Sequence, residues 1–439
     1  MKKLFAGVAI VDVTPQKPMF LHGYPHVERT SEGTHDPLYA SALILDNGEN
    51  QMGFCGVDVI FISKEITIEV RELVEKATGI KGENLMISAS HTHSGPVIVT
   101  DIFHDPVVPE ADPEYIKYLV IKISQVFIEA FKSKRRCKIA ITSADSTGVG
   151  GNRHRLSGAI DPEVPIVVLK DFNTGNIFAL SIIHCMHPTI LHEDSKLFSA
   201  DFPGYTRKFI NEKLGEDVVL LYQTGPSGNQ SPRHFINSNT FDEAKRLGFI
   251  LGKRITDSVL QLKESDYQDW LGLHIRKSKL DLPRKKFMTL IEAEKKVAFV
   301  KNKLDTMRLN GESAKEIRTV ECDWFGAEEN NQLVKMSLSG ELDKIYNSVL
   351  PAEVNIISLG DTYFVFLPGE LFVEYSLQIK KITYKKIFVS TMSNGVLAGY
   401  LVTEQAEQEG GYEASNSIFT AKGGEILLEK LSNLIDNPN

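Results

Sequence analysis

Residues 84–96 read Asn-Leu-Met-Ile-Ser-Ala-Ser-His-Thr-His-Ser-Gly-Pro, "NLMISASHTHSGP". The first half is short and apolar and reads as a strand. The second half breaks into polar residues and spends two of the chain's 12 histidines, His91 and His93, on either side of one threonine. A strand that runs into a polar loop is how α/β proteins carry chemistry, because the loop is held by a rigid sheet. With the strand continued through the pair, positions i and i+2 project to one face. Two imidazoles on one face can hold a metal and move protons, or can be satisfied surface side chains. This stretch alone leaves both readings open.

The pattern repeats outward. "SALILD" (41–46) and "QMGFCGVDVIFI" (51–62) read as strands, and "SKEITIEVRELVEKATG" (63–79) as a helix capped by Ser63 and stopped by Gly79. A loop is expected at 100–112 and a helix at 113–133. Strands recur at "CKIAITSA", "PIVVLKDF", "IFALSIIHC" and "DVVLLYQTG", with a helix at 241–263. Residues 275–350 form a less regular, charged subregion: "RKSKLDLPRKKFM" is basic and extended, and "IEAEKKVAFVKNKLDTMRLN" is an amphipathic helix whose charges face solvent. Strand character returns at "EVNIISLGDTYFVFLPGE" and "KKIFVSTMS", before a helix at 423–435. With no repeat or Pro/Ser linker, residues 1–439 read as one α/β domain of mixed β-sheets flanked by helices.

Composition narrows the function classes. A hydrophobic content of 42% and a charged content of 24% suit a soluble globular chain, and a net charge of −8 argues against nucleic acid as a partner. The four cysteines form no CxxC pair and read as reduced. "MKKLFAGVAIVDVTP" imitates a signal peptide, but its apolar run breaks at Asp12, so a first strand and a cytoplasmic location are expected, with no transmembrane segment.

Four further segments end an apolar run in polar residues. "GGNRHRLSG" (150–158) carries Arg153, "SIIHCMHPTIL" (181–191) His184 and His187, "QTGPSGNQSPR" (223–233) Ser231, and "VFLPGELF" (365–372) Glu370. A fifth stretch, 393–417, carries Tyr400 and Tyr412. Singly, each has a plain alternative. Glu370 could complement a helix dipole, and Tyr400 could be a core aromatic. His184 and His187 are three apart and cannot share a strand face, so one is structural. Together they fit a zinc site: a histidine from "HTH", one from "HPT" and the carboxylate of "PGE" supply three ligands and leave a position open for water of lowered pKa. The second imidazole of "HTH" would then be acid or base, and Arg153 with a tyrosine hydroxyl would hold an oxyanion.

In order along the chain, "AGVAIVDVTP", "HDPLYASALILD", "SASHTHSGP", "GNRHR", "HPTIL…SADFPGY", "GPSGNQSPR", "LPGE" and "SNGVLAGYLVT…GGYEAS" resemble the neutral/alkaline ceramidase family, zinc-dependent amidases that release a fatty acid from ceramide. The resemblance implies Zn2+ ligands at His91, His187, Glu370 and Tyr400. It implies His93 beside the metal, Arg153 and Tyr412 on the scissile amide, and Ser231 as a nucleophile or, with metal-activated water at hand, a substrate-positioning residue. Tyr400 and Tyr412 keep the family's twelve-residue spacing. The chain departs at Val396, where the family has a tyrosine, and at Asn229, where an acidic residue is common. The signal peptide and C-terminal β-sandwich of full-length secreted members are not expected here.

The leading expectation is therefore a zinc-dependent hydrolase of an N-acyl amide, ceramide-like or smaller, with a small-molecule or lipid amide as its partner. Two alternatives stand beside it. One is a serine hydrolase using Ser231, although "GNQSP" is not the G-x-S-x-G elbow. The other is a non-catalytic metal-containing homologue that binds lipid or sugar.

Overall fold

The computed structural model describes residues 2–436 other than 101, 104 and 106, with the backbone only at 314 and 315. Part of the loop expected at 100–112 thus lies outside the described residues. The helix Lys64–Thr78 shows how the local signals act. The Ser63 hydroxyl accepts from Ile66 N at 3.2 Å, and Gly79 ends the helix with a left-handed φ of 77°. Ile66, Val70 and Val74, four apart, bury one face.

That helix and Pro113–Lys132 cover one half of an eight-stranded mixed sheet. The strand order across the sheet is Val219–Thr224, Ile177–His184, Glu163–Asp171, Arg135–Asp145, Phe5–Asp12, Tyr39–Asp46, Gln51–Val57 and Leu85–Ala89. Helices Phe202–Leu214 and Phe241–Leu260 cover the other half through Ile210, Leu247, Leu251 and Ile255. A second sheet of four strands, Leu273–Leu280, Ala352–Leu359, Thr362–Phe366 and Ile387–Ser390, packs on the inner face. Leu43, Phe54, Ile139 and Leu221 of the first sheet meet Leu273, Ile357, Phe364 and Phe388 of the second. Its outer face is closed by Leu333, Met336, Tyr346, Leu427 and Leu431. The layers run helix, sheet, sheet, helix.

Within the two larger sheets three described pairs of strands run parallel: Gln51–Val57 with Leu85–Ala89, Ile177–His184 with Val219–Thr224, and Thr362–Phe366 with Ile387–Ser390. A helix lies between the members of each pair in sequence, since parallel neighbours need a crossover. The carboxyl ends of these strands meet and are stitched together. Thr391 N donates to Thr224 O at 2.8 Å, Asn394 N to Ile87 O at 2.9 Å, Gly228 N to Leu371 O at 2.8 Å, and the Thr224 hydroxyl to Ser90 O at 2.7 Å.

Four expectations are corrected. The strand expected over 51–62 stops at Val57, and the one entering "HTH" stops at Ala89. Residues 275–350 are regular, holding the strand Leu273–Leu280 and the helices Leu290–Asn310, Ala314–Ser339 and Glu341–Val349. A Thr289 capping box, a Ser313 cap and left-handed Gly311 and Gly340 supply those boundaries. The charged helix is less amphipathic than its sequence suggests. Ala293, Val300 and Leu304 are buried, but Ile291, Phe299 and Leu309 are exposed. Cys55, Cys137, Cys185 and Cys322 are free thiols. Among the described residues no helix is long and apolar enough to cross a membrane.

Candidate metal and catalytic site

The loop after Ala89 turns instead of running on. His91 has a left-handed φ of 67°, a backbone strain that persists only where surroundings enforce it. Its N–H donates to Val59 O at 2.9 Å and its ring Nδ1 bonds Ile60 O at 2.7 Å. The i, i+2 geometry of a strand is thus absent, yet both rings reach one site, with the His91 and His93 centroids 5.0 Å apart. His93 Nδ1 bonds Gly23 O at 2.9 Å, and Gly23, at φ 120°, leaves only enough room for the ring because it has no Cβ. His187, beyond the strand end at His184, bonds Ser227 O at 2.7 Å and Gln230 O at 3.1 Å through Nδ1. His184 is the structural member of its pair. It is buried, bonds the Tyr222 hydroxyl at 3.0 Å, and burial lowers it to about 3.

Each site imidazole therefore commits Nδ1 to a backbone carbonyl, which fixes the tautomer and points the Nε2 lone pair inward. Ligand atoms of His91, His93 and His187 all lie within 4.8 Å of one another, so the three could hold a metal ion. Sequence reasoning had assigned His93 beside the metal only; this geometry admits it as a ligand as well. Nε2 of His91 and of His93 is buried without a hydrogen-bond partner, while His187 Nε2 meets Glu370 Oε2 at 3.1 Å and His91 Nε2 stands 3.6 Å from the same oxygen. Buried imidazole lone pairs converging on a carboxylate form a donor set that fits a cation.

Glu370 follows the strand Thr362–Phe366 and pairs in register with Tyr400. Burial would raise its carboxyl, but His91 and His187 outweigh that and hold it well below the usual range. Burial lowers His187 to about 4 despite Glu370, and burial with the neighbouring imidazoles holds His93 well below its ordinary value. Tyr400 is buried beside Arg153, whose guanidinium carbon is 5.5 Å from its ring centre, and Tyr412 lies 5.9 Å from Tyr400 between centroids.

Arg153 Nε reaches Glu413 Oε1 at 2.5 Å, and His154 Nε2 reaches Glu413 Oε2 at 3.0 Å. Sequence reasoning missed Glu413, though it adjoins Tyr412. It also missed the carbonyls of Gly23, Ile60 and Ser227, which orient the imidazoles and which no side-chain pattern announces. Ser231 sits in a two-residue ladder with Gly151, and its Oγ accepts from Arg233 N at 3.3 Å. Among the described residues no imidazole is hydrogen-bonded to it. The structure thus brings His91, His93, Glu370, Tyr400 and Tyr412 around one cavity of about 420 Å³, with His187 buried behind them against Glu370 and His91. Ser231 and Arg153 line an adjoining one of about 100 Å³ that shares His93, Tyr400 and Tyr412.

The chain is 22% identical over 239 residues to neutral ceramidase A of Dictyostelium discoideum, covering 50% of this chain and 33% of that protein. It is 27% identical over 165 residues to neutral ceramidase 3 of Arabidopsis thaliana, covering 34% and 21%. These matches thus span a third or less of the relatives' own length. The fold is similar to that of the neutral ceramidase from Pseudomonas aeruginosa, with a TM-score of 0.76 and 15% identity over 99% of this chain and 75% of that one. Residues 5–233, just over half of the chain, match the family model for the N-terminal part of neutral/alkaline non-lysosomal ceramidases, and the chain belongs to that family.

Proposed function

We propose that this protein is a zinc-dependent amidohydrolase that cleaves an N-acyl amide, ceramide-like or smaller. The observation that carries the reading is the convergence of three backbone-oriented imidazoles on the buried Glu370 carboxylate. In this reading His91, His187, Glu370 and Tyr400 hold the zinc. When bound, zinc supplies Lewis-acid polarisation and acidifies water to a pKa of about 7.

The remaining steps belong to the chain's own residues. His93, its Nδ1 bonded to Gly23 O, presents Nε2 to take a proton from the attacking water and return it to the departing nitrogen. Arg153 and Tyr412 steady the negative oxygen of the tetrahedral intermediate. Burial would lower the Arg153 pKa, but Glu413 and Tyr400 raise it above its ordinary value, so the cation is kept in the dry site. Ser231 acts by positioning the substrate: no histidine bonds it among the described residues, and Pro232 offers no N–H for an oxyanion hole.

The test is zinc content and turnover of N-acyl amides, long-chain and short, for the wild type and His91→Ala together. About one zinc per chain and turnover, both lost in the variant, is the expected result. Hydrolysis that survives in a metal-free variant overturns the zinc mechanism. Labelling of Ser231 by a fluorophosphonate would favour the serine hydrolase, and metal without turnover of any amide would favour a binding protein.

A further inference from the structure

The cavities that meet at His93, Tyr400 and Tyr412 differ in character. Toward one side, the 420 Å³ cavity and a neighbouring one of about 470 Å³ share Val99, Ile102, Val396 and Ala398, giving an apolar course long enough for a hydrocarbon chain. Toward the other, the compartment of about 100 Å³ is much the narrower of the two. Its walls include Arg153, Arg233, Arg318 and Ser231.

Two of these arginines already have carboxylate partners. Arg153 is held by Glu413, and Arg318 by Glu193 at 2.9 Å and Glu321 at 2.8 Å. Arg233 is different. Its fork touches only Arg153 O at 3.5 Å and Cys322 Sγ at 3.6 Å, and among the described residues no carboxylate lies within ion-pair distance. Asp323 lines the compartment as well, its carboxyl raised by burial and then by Glu413, but it makes no ion pair with Arg233 among the described residues. A half-buried guanidinium with weak contacts and no counter-ion is suited to an incoming anion.

We propose that the substrate is a single-chain N-acyl amide whose amine portion is small and anionic, the acyl chain lying in the apolar cavities and the anion on Arg233. The proposal rests on the amidohydrolase reading above. Arg233 lines the same compartment as Ser231 and His93, so an anion on its fork would share that compartment with the two side chains that the amide nitrogen must reach. This narrow, arginine-lined compartment suits a compact charged amine portion better than a second long alkyl chain such as a sphingoid base carries.

The test compares N-dodecanoylglycine, N-dodecanoylphosphoethanolamine and the neutral N-dodecanoylethanolamine with ceramide, on the zinc-loaded wild type, Arg233→Gln and Arg233→Lys. The wild type is expected to favour an anionic amide by about tenfold or more in kcat/KM. In Arg233→Gln the anionic-to-neutral ratio is expected to fall about 10- to 100-fold, with partial recovery in Arg233→Lys. Preference for the glycine amide identifies a carboxylate, and for the phosphoethanolamine amide a phosphate; either supports the proposal. Cleavage of the ethanolamide or ceramide as fast as the anionic amides overturns it, as does an equal loss on every substrate in Arg233→Gln. No cleavage of any amide overturns the amidohydrolase reading itself, a result distinct from lost preference.

Discussion

Arg153 and Glu413 are 260 residues apart in sequence, yet Arg153 Nε lies 2.5 Å from the Glu413 carboxylate, which is buried with the arginine only partly exposed. Glu413 also receives His154, and its carboxyl is held at about 2 because, although burial raises it, Arg153 and His154 lower it further. Removing one partner of such a pair leaves a charge uncompensated in the interior. Glu413→Ala is therefore expected to cost about 3–5 kcal/mol of stability in urea unfolding. If Arg153 steadies a developing oxyanion, kcat should fall more than KM rises.

Removal of metal should loosen the protein as well as silence it. The three imidazoles and Glu370 come from three different strand ends, His91 and His93 sharing one, so an ion bound among them would tie those ends together. At free zinc of about 100 to 1,000 times its dissociation constant, binding would add ~2.7 to 4.1 kcal/mol. A chelator should lower the melting temperature of the wild type and leave that of Glu370→Ala nearly unchanged.

Gly23→Ala tests the orientation of His93 without touching a ligand. An added Cβ would stand 2.4 Å from His93 Nδ1 at a φ of 120°, so the ring must move. A displacement of this kind is expected to lower kcat/KM about 100-fold, with a stability cost of roughly 1–3 kcal/mol. Zinc content measured alongside separates a shifted proton carrier from a lost ligand.

Asn229→Asp, which restores the acidic residue common in the family, should destabilise this chain. Asn229 donates its amide to Glu374 at 2.8 Å, accepts from Val373 N through its side-chain oxygen, and accepts from Arg153 N through its carbonyl. A carboxylate there would face another carboxylate. A loss of about 1–3 kcal/mol in the urea midpoint is expected, with activity falling through the displaced Arg153 loop.

His184 gives a pH signature away from the chemistry. Burial lowers it to about 3 in the folded protein, against an ordinary 6.5. As pH falls, the unfolded chain binds the proton first. Stability that is fully present above about 6.5 is therefore lost toward 3, at up to ~1.4 kcal/mol per pH unit. His184→Gln should flatten the dependence of stability on pH by one proton over that range, as read from urea midpoints.

Much of this was legible in the residues. Ser63 and Gly79 bounded their helix because caps act locally, and the polar clusters at strand ends were visible because they interrupt apolar runs. The turn at His91 was not legible, since its strain is enforced by Val59 and Ile60 from a separate segment. Glu413 escaped because its role is set by Arg153 across 260 residues. The helices between 290 and 349 were blurred by their charge, although Thr289, Ser313, Gly311 and Gly340 carry ordinary boundary signals.

The stitching of three strand ends has a consequence for synthesis. A ribosome releases His91, His93 and His187 well before Glu370, Tyr400 and Glu413, so for a time the growing chain owns the imidazoles without the carboxylates that complete their surroundings. The constellation of His91, His93, His187, Glu370 and Tyr400 cannot exist until the later segment has emerged and docked. A break anywhere between Arg233 and Glu370 would leave two fragments, each with only part of the site, whose reunion alone would restore the full set of side chains.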